Sequence, residues 1–96
     1  MPDAYKLEIS PAAERDLKRL PLSIQRDIVQ RHLPEIAKDP FSKSKPLVGT
    51  LKGERSYSFG RKPEYRIIFY VEDASIIGTI VGTKEGIYRK AKRRRK

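Results

Sequence analysis

The sequence predicts an α+β domain with the element order β-α-α-β-β-β. Two observations predict this class. A pair of amphipathic helical segments follows one short strand near the N-terminus, and three strand-like segments occupy the second half of the chain. Strands that follow one another through short turns favour an antiparallel meander, so we expect the helical hairpin to cover one face of that sheet. A chain of 96 residues makes one such domain.

The N-terminal half predicts one strand and a helical hairpin. Residues 5–9 alternate apolar and charged side chains, as a half-buried strand does. Ser10 is a preferred helix cap, Pro11 suits the first helical position, and an apolar stripe at helical spacing follows. A second stripe of the same spacing comes next, and Pro34 within it predicts a kink or a division of that helix near His32.

The C-terminal half predicts three strands after a polar loop. The loop covers residues 41–53, and the strands are expected at residues 55–59, 65–71 and 76–81. The first of these strands alternates, so that Ser56 and Ser58 face one way while Tyr57 and Phe59 face the other. The second strand is apolar enough to lie in the centre of the sheet.

Positive charge is concentrated at the C-terminus. The chain has 22 Lys and Arg against 12 Asp and Glu, a formal net charge of +10. Residues 89–96 carry seven of these positive charges and no acid, so the rest of the chain has a net charge of about +3. We therefore divide the chain into a domain, residues 1–88, and a basic tail, residues 89–96. Such a tail favours a polyanionic partner or serves only solubility.

Composition excludes several kinds of site. Cysteine is absent and His32 is the one histidine, so neither disulfides nor a thiolate or histidine metal site is expected, and we expect no cofactor. No apolar run approaches the ~18 residues that span a bilayer, and no apolar leader follows the N-terminus. The expected location is the cytoplasm.

Several short marks recur along the chain in a specific order. They are Ser10–Leu17 after the first strand, Leu20-Pro21 between the helices, Asp39-Pro40 with Pro46-Leu47, Leu51-Lys52-Gly53, Tyr65-Arg66-Ile67, and Gly82-Thr83-Lys84 with Tyr88-Arg89. In order and spacing they resemble the RelE/ParE family of toxin–antitoxin toxins. The resemblance covers residues 5–91 and implies a small sheet domain with two helices, made beside a cognate antitoxin, which is the expected protein partner.

The resemblance implies one of two activities. RelE-like members cut messenger RNA, usually in the decoding site of the ribosome, whereas ParE-like members inhibit DNA gyrase. We expect a metal-independent endoribonuclease that acts on mRNA, with the ribosome as a second partner. A gyrase inhibitor and a basic RNA-binding module without catalysis stay open as alternatives.

Three residues are the candidates for catalysis. Cations suit phosphate chemistry because charge builds on the non-bridging oxygens of the transition state. By the resemblance, Arg66 contacts the phosphate, Lys84 stabilises the transition state or acts as acid, and Tyr88 is the general base. A phenol, with an ordinary pKa near 10, acts as base at neutral pH only when nearby cations favour its ionised form. Each residue also has a structural alternative. Arg66 could form an ion pair with Glu8 or Glu64, Tyr88 could be an aromatic lid over the sheet edge, and Lys84 could be an exposed lysine at the end of a strand.

Six further cations are candidates for binding the RNA backbone: Lys52, Arg55, Arg61, Lys62, Arg89 and Lys90. Strongly ribosome-dependent members of the family place two lysines, one residue apart, on the strand that corresponds to residues 55–59. In this chain those positions are serine or aromatic. Lys52, Arg55, Arg61 and Lys62 are the nearby cations that could replace that charge, and a family member with weak or no activity stays open as a further outcome.

Overall fold

The computed structural model describes residues 5–94, so residues 1–4 and the last two residues of the predicted tail lie outside the description. The strands are β1 (Lys6–Ile9), β2 (Lys45–Pro46), β3 (Arg55–Phe59), β4 (Tyr65–Glu72) and β5 (Ser75–Thr83). The helices are α1 (Pro11–Lys18), α2 (Leu22–Asp27), α3 (Leu33–Lys38) and α4 (Lys84–Arg94), with a π-helical turn at Ile28–His32 and a 3₁₀ turn at Gly49–Leu51. Among these residues, no helix is long and apolar enough to cross a bilayer.

The five strands form one sheet in the order β1-β5-β4-β3-β2. The meander of β3, β4 and β5 is antiparallel, and β1 pairs in parallel with β5. The α+β class is therefore confirmed. The short edge strand β2 lies in the segment that was expected to be only loop, and its Pro46 is tolerated because the outer side of an edge needs no donor.

The helical hairpin covers one face of the sheet and encloses the larger core. Ser10 caps α1 as predicted, since its Oγ accepts a hydrogen bond from the Ala13 N–H at 3.1 Å. Ala13, Ile28 and Ile36 are buried against Phe69 of β4. Burying an Ile or Phe side chain contributes about 1.5–3 kcal/mol, and this face carries the larger of the two buried clusters.

The second predicted helix is divided near His32, as Pro34 predicts. Pro34 has no N–H and cannot continue the regular bonding of an α-helix. The chain widens into the π-helical turn at residues 28–32, and the Leu33 N–H reaches the carbonyl five residues back. At the end of that turn the His32 ring stacks on Phe59, with 3.9 Å between ring centroids.

The other face of the sheet is partly covered by α4, which corrects the prediction of a basic tail. The helix begins at Lys84 and continues to the end of the described residues. Ile87 and Ala91, one helical turn apart, pack against Ile68 and Ile80 of the sheet. This apolar pair was hidden in the sequence by the dense charge around it, but it suffices to give the segment a buried side.

Asp16 of α1 holds α4 against the edge of β5. Because β1 is shorter than β5, the last residues of β5 have no strand beside them on that edge. The Asp16 carboxylate, only 3% exposed, accepts hydrogen bonds from the Val81 N–H at 3.1 Å and from Arg94 at 2.7 Å. The Lys90 ammonium lies 3.4 Å from the same carboxylate. Two of the predicted tail's cations are therefore structural.

Candidate functional site

Arg66 and Tyr88 meet on the same face of the sheet as α4, at the part of that face that the helix leaves uncovered. Arg66 lies on β4 opposite Ser58 of β3, so both side chains lie on that face. The Arg66 Nη1 donates to the Tyr88 Oη at 3.3 Å, and the Tyr88 side chain is exposed. The fold therefore brings together two residues that are 22 positions apart in the sequence. Their chemical roles stay predictions.

Glu64 is the ion-pair partner of Arg66. Its Oε2 lies 3.0 Å from the Arg66 Nε, whereas Glu8 pairs with Lys6 on the edge strand β1. The hydrogen bond from Arg66 is the main reason that the pKa of Glu64 lies below its ordinary value. A carboxylate thus stands beside the candidate phosphate-binding arginine, which keeps the guanidinium in one orientation.

Lys84 begins α4 beside the same pair. Its backbone N–H donates to the Glu64 carbonyl oxygen at 2.9 Å, and its side chain is exposed. The charge of Lys84 also helps to lower the pKa of Glu64, so its ammonium acts on this site. Three groups named from the sequence, the guanidinium, the phenol and the ammonium, therefore lie in one neighbourhood.

A cleft of about 550 Å³ extends from Arg66 toward the β2 edge of the sheet. Its floor carries Ser56 and Ser58 of β3, and its end carries Glu64 and Arg66. The opposite wall is the segment of residues 42–47. The cleft is open and polar, and its size suits an extended polymer segment that passes across the sheet better than an enclosed small molecule.

Lys43 and Lys45 line this cleft, and sequence reasoning missed them. Lys45 lies on β2 opposite Ser56, and Lys43 ion-pairs with Glu35 of α3 at 3.2 Å. That contact is the main cause that lowers the pKa of Glu35. The run from residue 42 to 45 alternates serine and lysine, which was the available signal, but only pairing with β3 shows which way the lysines face.

Arg55 lies on the other face of the sheet, away from Arg66. Its guanidinium donates to the Ser44 Oγ at 2.7 Å and lies 5.0 Å from the ring centre of Phe41. It also donates to the carbonyl oxygens of both residues at 3.2 Å. Arg55 therefore holds the loop of residues 41–44 in place, and the same loop forms part of the cleft wall on its other side.

Three other predicted RNA-binding cations also lie outside the cleft. Lys52 is exposed just after the 3₁₀ turn. Arg61 and Lys62 lie in the turn between β3 and β4, beside a second cavity of about 450 Å³ that Arg31 and His32 also line. Within residues 5–94, none of the three lines the cleft that contains Arg66.

The two candidates on α4 differ from each other. Arg89, next to Tyr88, is exposed and available to a ligand. Lys90 turns inward, because its Nζ donates to the Val81 carbonyl oxygen at 3.1 Å and pairs with Asp16. Of this pair, only Arg89 has an exposed side chain.

Known proteins match this chain in sequence and in fold. Residues 7–85 match the family described as ParE toxin of type II toxin-antitoxin system, parDE. Toxin RelE of Mycobacterium tuberculosis is 32% identical over 69 residues, which are 72% of this chain and 68% of that protein. A chain of the toxin-antitoxin complex RelBE2 from Mycobacterium tuberculosis superposes with a TM-score of 0.77 at 25% identity, covering 85% of this chain and 100% of that one.

A third match concerns the fold alone. The free state of E. coli toxin RelE, in a variant with two arginines replaced by alanine, gives a TM-score of 0.71 at 20% identity and covers 98% of this chain and all of that one. The sheet, the hairpin and these matches define a toxin of a type II toxin–antitoxin system. The chain belongs to the RelE/ParE family of such toxins.

Proposed function

We propose that this toxin is a metal-independent endoribonuclease that cuts mRNA, with the ribosome as its place of action. The observation that carries the proposal is the 3.3 Å contact between the Arg66 Nη1 and the Tyr88 Oη at the end of an open cleft. A guanidinium that contacts a phenol can bind the phosphate next to the 2′-hydroxyl from which that phenol removes a proton. The similarity to Toxin RelE of Mycobacterium tuberculosis supports the same assignment.

The proposed reaction is transfer of the phosphate from the 5′-oxygen of one nucleotide to the 2′-oxygen of its neighbour. Tyr88 removes the proton of the 2′-hydroxyl, and the new bond between that oxygen and phosphorus forms as the bond to the 5′-oxygen breaks. Arg66 stabilises the charge on the non-bridging oxygens, and Lys84 donates a proton to the leaving oxygen. No step requires a metal ion.

Glu64 orients Arg66 for this task. Its carboxylate accepts a hydrogen bond from the Arg66 Nε, so one side of the guanidinium is held while the Nη1 contacts Tyr88 and the residue lines the cleft. A planar guanidinium fixed on one edge keeps its other edge available for phosphate. We assign Glu64 a positioning role.

The proposed protein partner is a cognate antitoxin. The toxin that this chain resembles in the RelBE2 structure is part of a toxin–antitoxin complex. On this chain, the charge of the cleft and of the exposed part of α4 favours an acidic segment of such a partner. A segment that lies across Arg66 and Tyr88 would block RNA.

The test is induction of the chain alone in a bacterial host, followed by primer extension on a translated reporter mRNA. The wild type is expected to produce new 5′ ends within the translated frame. Arg66→Ala and Tyr88→Phe should reduce them at least about 100-fold, which is the usual effect of removing one transition-state contact. Arg15→Ala and Tyr5→Phe, which change the same residue types away from the cleft, should cleave like the wild type.

Gyrase inhibition is the second candidate, because the matching family description is that of ParE toxins. The ion pair with Glu64 also weakens the positive field at Arg66 compared with an unpaired arginine. Purified toxin that blocks supercoiling by gyrase, in a host whose reporter mRNA stays intact, would establish this function instead. Intact supercoiling with cut mRNA would eliminate it.

A further inference from the structure

The cleft holds a buried hydroxyl that the fold itself does not use. Ser56 is 6% exposed, lines the cleft, and its Oγ has no hydrogen-bond partner among residues 5–94. Buried hydroxyls are nearly always paired in folded proteins, because an unpaired one loses its bonds to water without replacement. An unpaired hydroxyl that faces a polar cleft therefore indicates a place where a ligand supplies the missing partner.

The residue beside this hydroxyl is a lysine with an exposed side chain. Lys45 is the direct cross-strand neighbour of Ser56, and directly opposed Cβ atoms lie about 4.5–5.5 Å apart. The nearby Lys43 already pairs with Glu35, so its charge is partly used within the protein. A hydroxyl donor next to an ammonium is a combination that binds a phosphate oxygen.

We propose that Ser56 and Lys45 form a second phosphate subsite, which binds the nucleotide next to the one whose phosphate lies at Arg66. The inference rests on the proposed function, since it names how the RNA lies in the cleft. In the subsite, Ser56 donates its hydroxyl proton to a non-bridging oxygen and Lys45 neutralises the charge. Neither residue takes part in the bond-breaking step.

The sheet spaces the two subsites appropriately. Arg66 lies opposite Ser58, and Lys45 lies opposite Ser56, so the two cations occupy neighbouring rows of one face. Those rows are two residues apart on β3, or about 7 Å, and β2 and β4 lie about 10 Å apart across it, so the Cα atoms of Lys45 and Arg66 are about 12 Å apart. The long Lys45 side chain spans several ångströms of that distance, so an extended single strand that crosses β3 from the β2 edge to Tyr88 can place successive phosphates at the two cations.

The first experiment measures the affinity of the full chain for a fluorescent oligoribonucleotide as a function of salt. Lys45→Ala should weaken binding several-fold and reduce the slope of log affinity against log salt by about 0.7, the loss of one phosphate contact. Lys6→Ala removes a charge on the opposite edge of the sheet and should weaken binding much less. Equal affinities and slopes for Lys45→Ala and the wild type would overturn the subsite.

The second experiment separates a ligand-binding Ser56 from a structural one. Ser56→Ala should weaken RNA binding roughly tenfold, while the urea midpoint of unfolding stays the same or rises, because the variant removes an unpaired buried hydroxyl. Ser23→Ala, an exposed hydroxyl on α2, is the control for both readings. A lower midpoint with unchanged RNA affinity would show that Ser56 serves the fold and not a ligand.

The third experiment tests the subsite independently of nuclease activity. Inorganic phosphate is titrated onto the wild type, and amide chemical shifts are followed by NMR. Shifts at Lys45 and Ser56 that vanish in Lys45→Ala would support the subsite even if no mRNA is cut in cells. Shifts confined to the surroundings of Arg66, in a toxin that does cut mRNA, would refute the subsite and leave the proposed function standing.

Discussion

Arg94 donates a 2.7 Å hydrogen bond to the carboxylate of Asp16, a residue 78 positions earlier in the chain. The acceptor is buried on α1 and the donor is in the last turn of α4. This long-range pair joins the two helices across the uncovered edge of β5. It explains how α4, which carries Tyr88, is held in place on the sheet although it has many like charges.

Replacing Asp16 should release α4. In Asp16→Ala the Val81 N–H loses its acceptor and two cations lose their counter-ion, so we expect the free energy of unfolding to fall by about 3 kcal/mol. Asp16→Asn retains an acceptor and should cost about half as much. Urea denaturation measures the loss. Trypsin should cut α4 earlier in both variants than in Asp27→Asn, and unchanged protection of α4 would contradict the assignment.

Glu64→Gln should separate RNA binding from catalysis. The substitution removes a negative charge beside the phosphate site, so RNA should bind about two- to fivefold more tightly at low salt. The amide holds the Arg66 Nε less firmly than the carboxylate, so cleavage should fall about tenfold. Anisotropy measures the first effect and primer extension the second. Faster cleavage by this variant would show that Glu64 restrains Arg66 rather than orients it.

His32 should make the stability depend on pH. Burial, and then the charge of Arg31, lower the pKa of His32 below its ordinary value of 6.5, while burial raises the pKa of Tyr57, whose hydroxyl oxygen lies 2.7 Å from the His32 Nδ1. The unfolded chain therefore binds a proton at higher pH than the folded one. The stabilisation is complete above about pH 6.5 and is lost as the pH falls through the lowered pKa.

The measurement for His32 is the urea midpoint at about pH 7.5 and about pH 5.5. The wild type should be less stable at the lower pH. His32→Phe keeps an aromatic ring against Phe59 but does not titrate, so its midpoint should change less between the two values. A wild type that gains stability on acidification, compared with this variant, would mean that the folded state favours the charged imidazole.

Arg55→Ala should lower the stability of the fold and should remove no direct contact with RNA. The variant loses the hydrogen bonds to Ser44 and to the carbonyl oxygen of Phe41, so we expect the free energy of unfolding to fall by about 1–2 kcal/mol. NMR should show the changed shifts in the loop of residues 41–44. In the binding assay, its salt slope should stay closer to that of the wild type than the slope of Lys45→Ala does.

The local features of the fold could be predicted because their causes lie within a few residues. The Ser10 cap, the division near His32 and the opposite faces of Ser56 and Tyr57 depend on hydrogen bonds and side-chain alternation inside one segment. The same is true of the meander, whose strands follow one another through short turns. The neighbourhood of Arg66 and Tyr88 was indicated by resemblance rather than by any local rule.

Tertiary structure alone decided where the cations of this chain face. Arg55 and Lys45 read alike in sequence, yet Arg55 holds a loop on one face while Lys45 lines the cleft on the other. Lys90 and Arg94 belong to a basic run that predicts a solvated tail, and the buried carboxylate of Asp16 makes them structural. A charged side chain is placed by its distant partners and by strand register, and neither is encoded within its own segment.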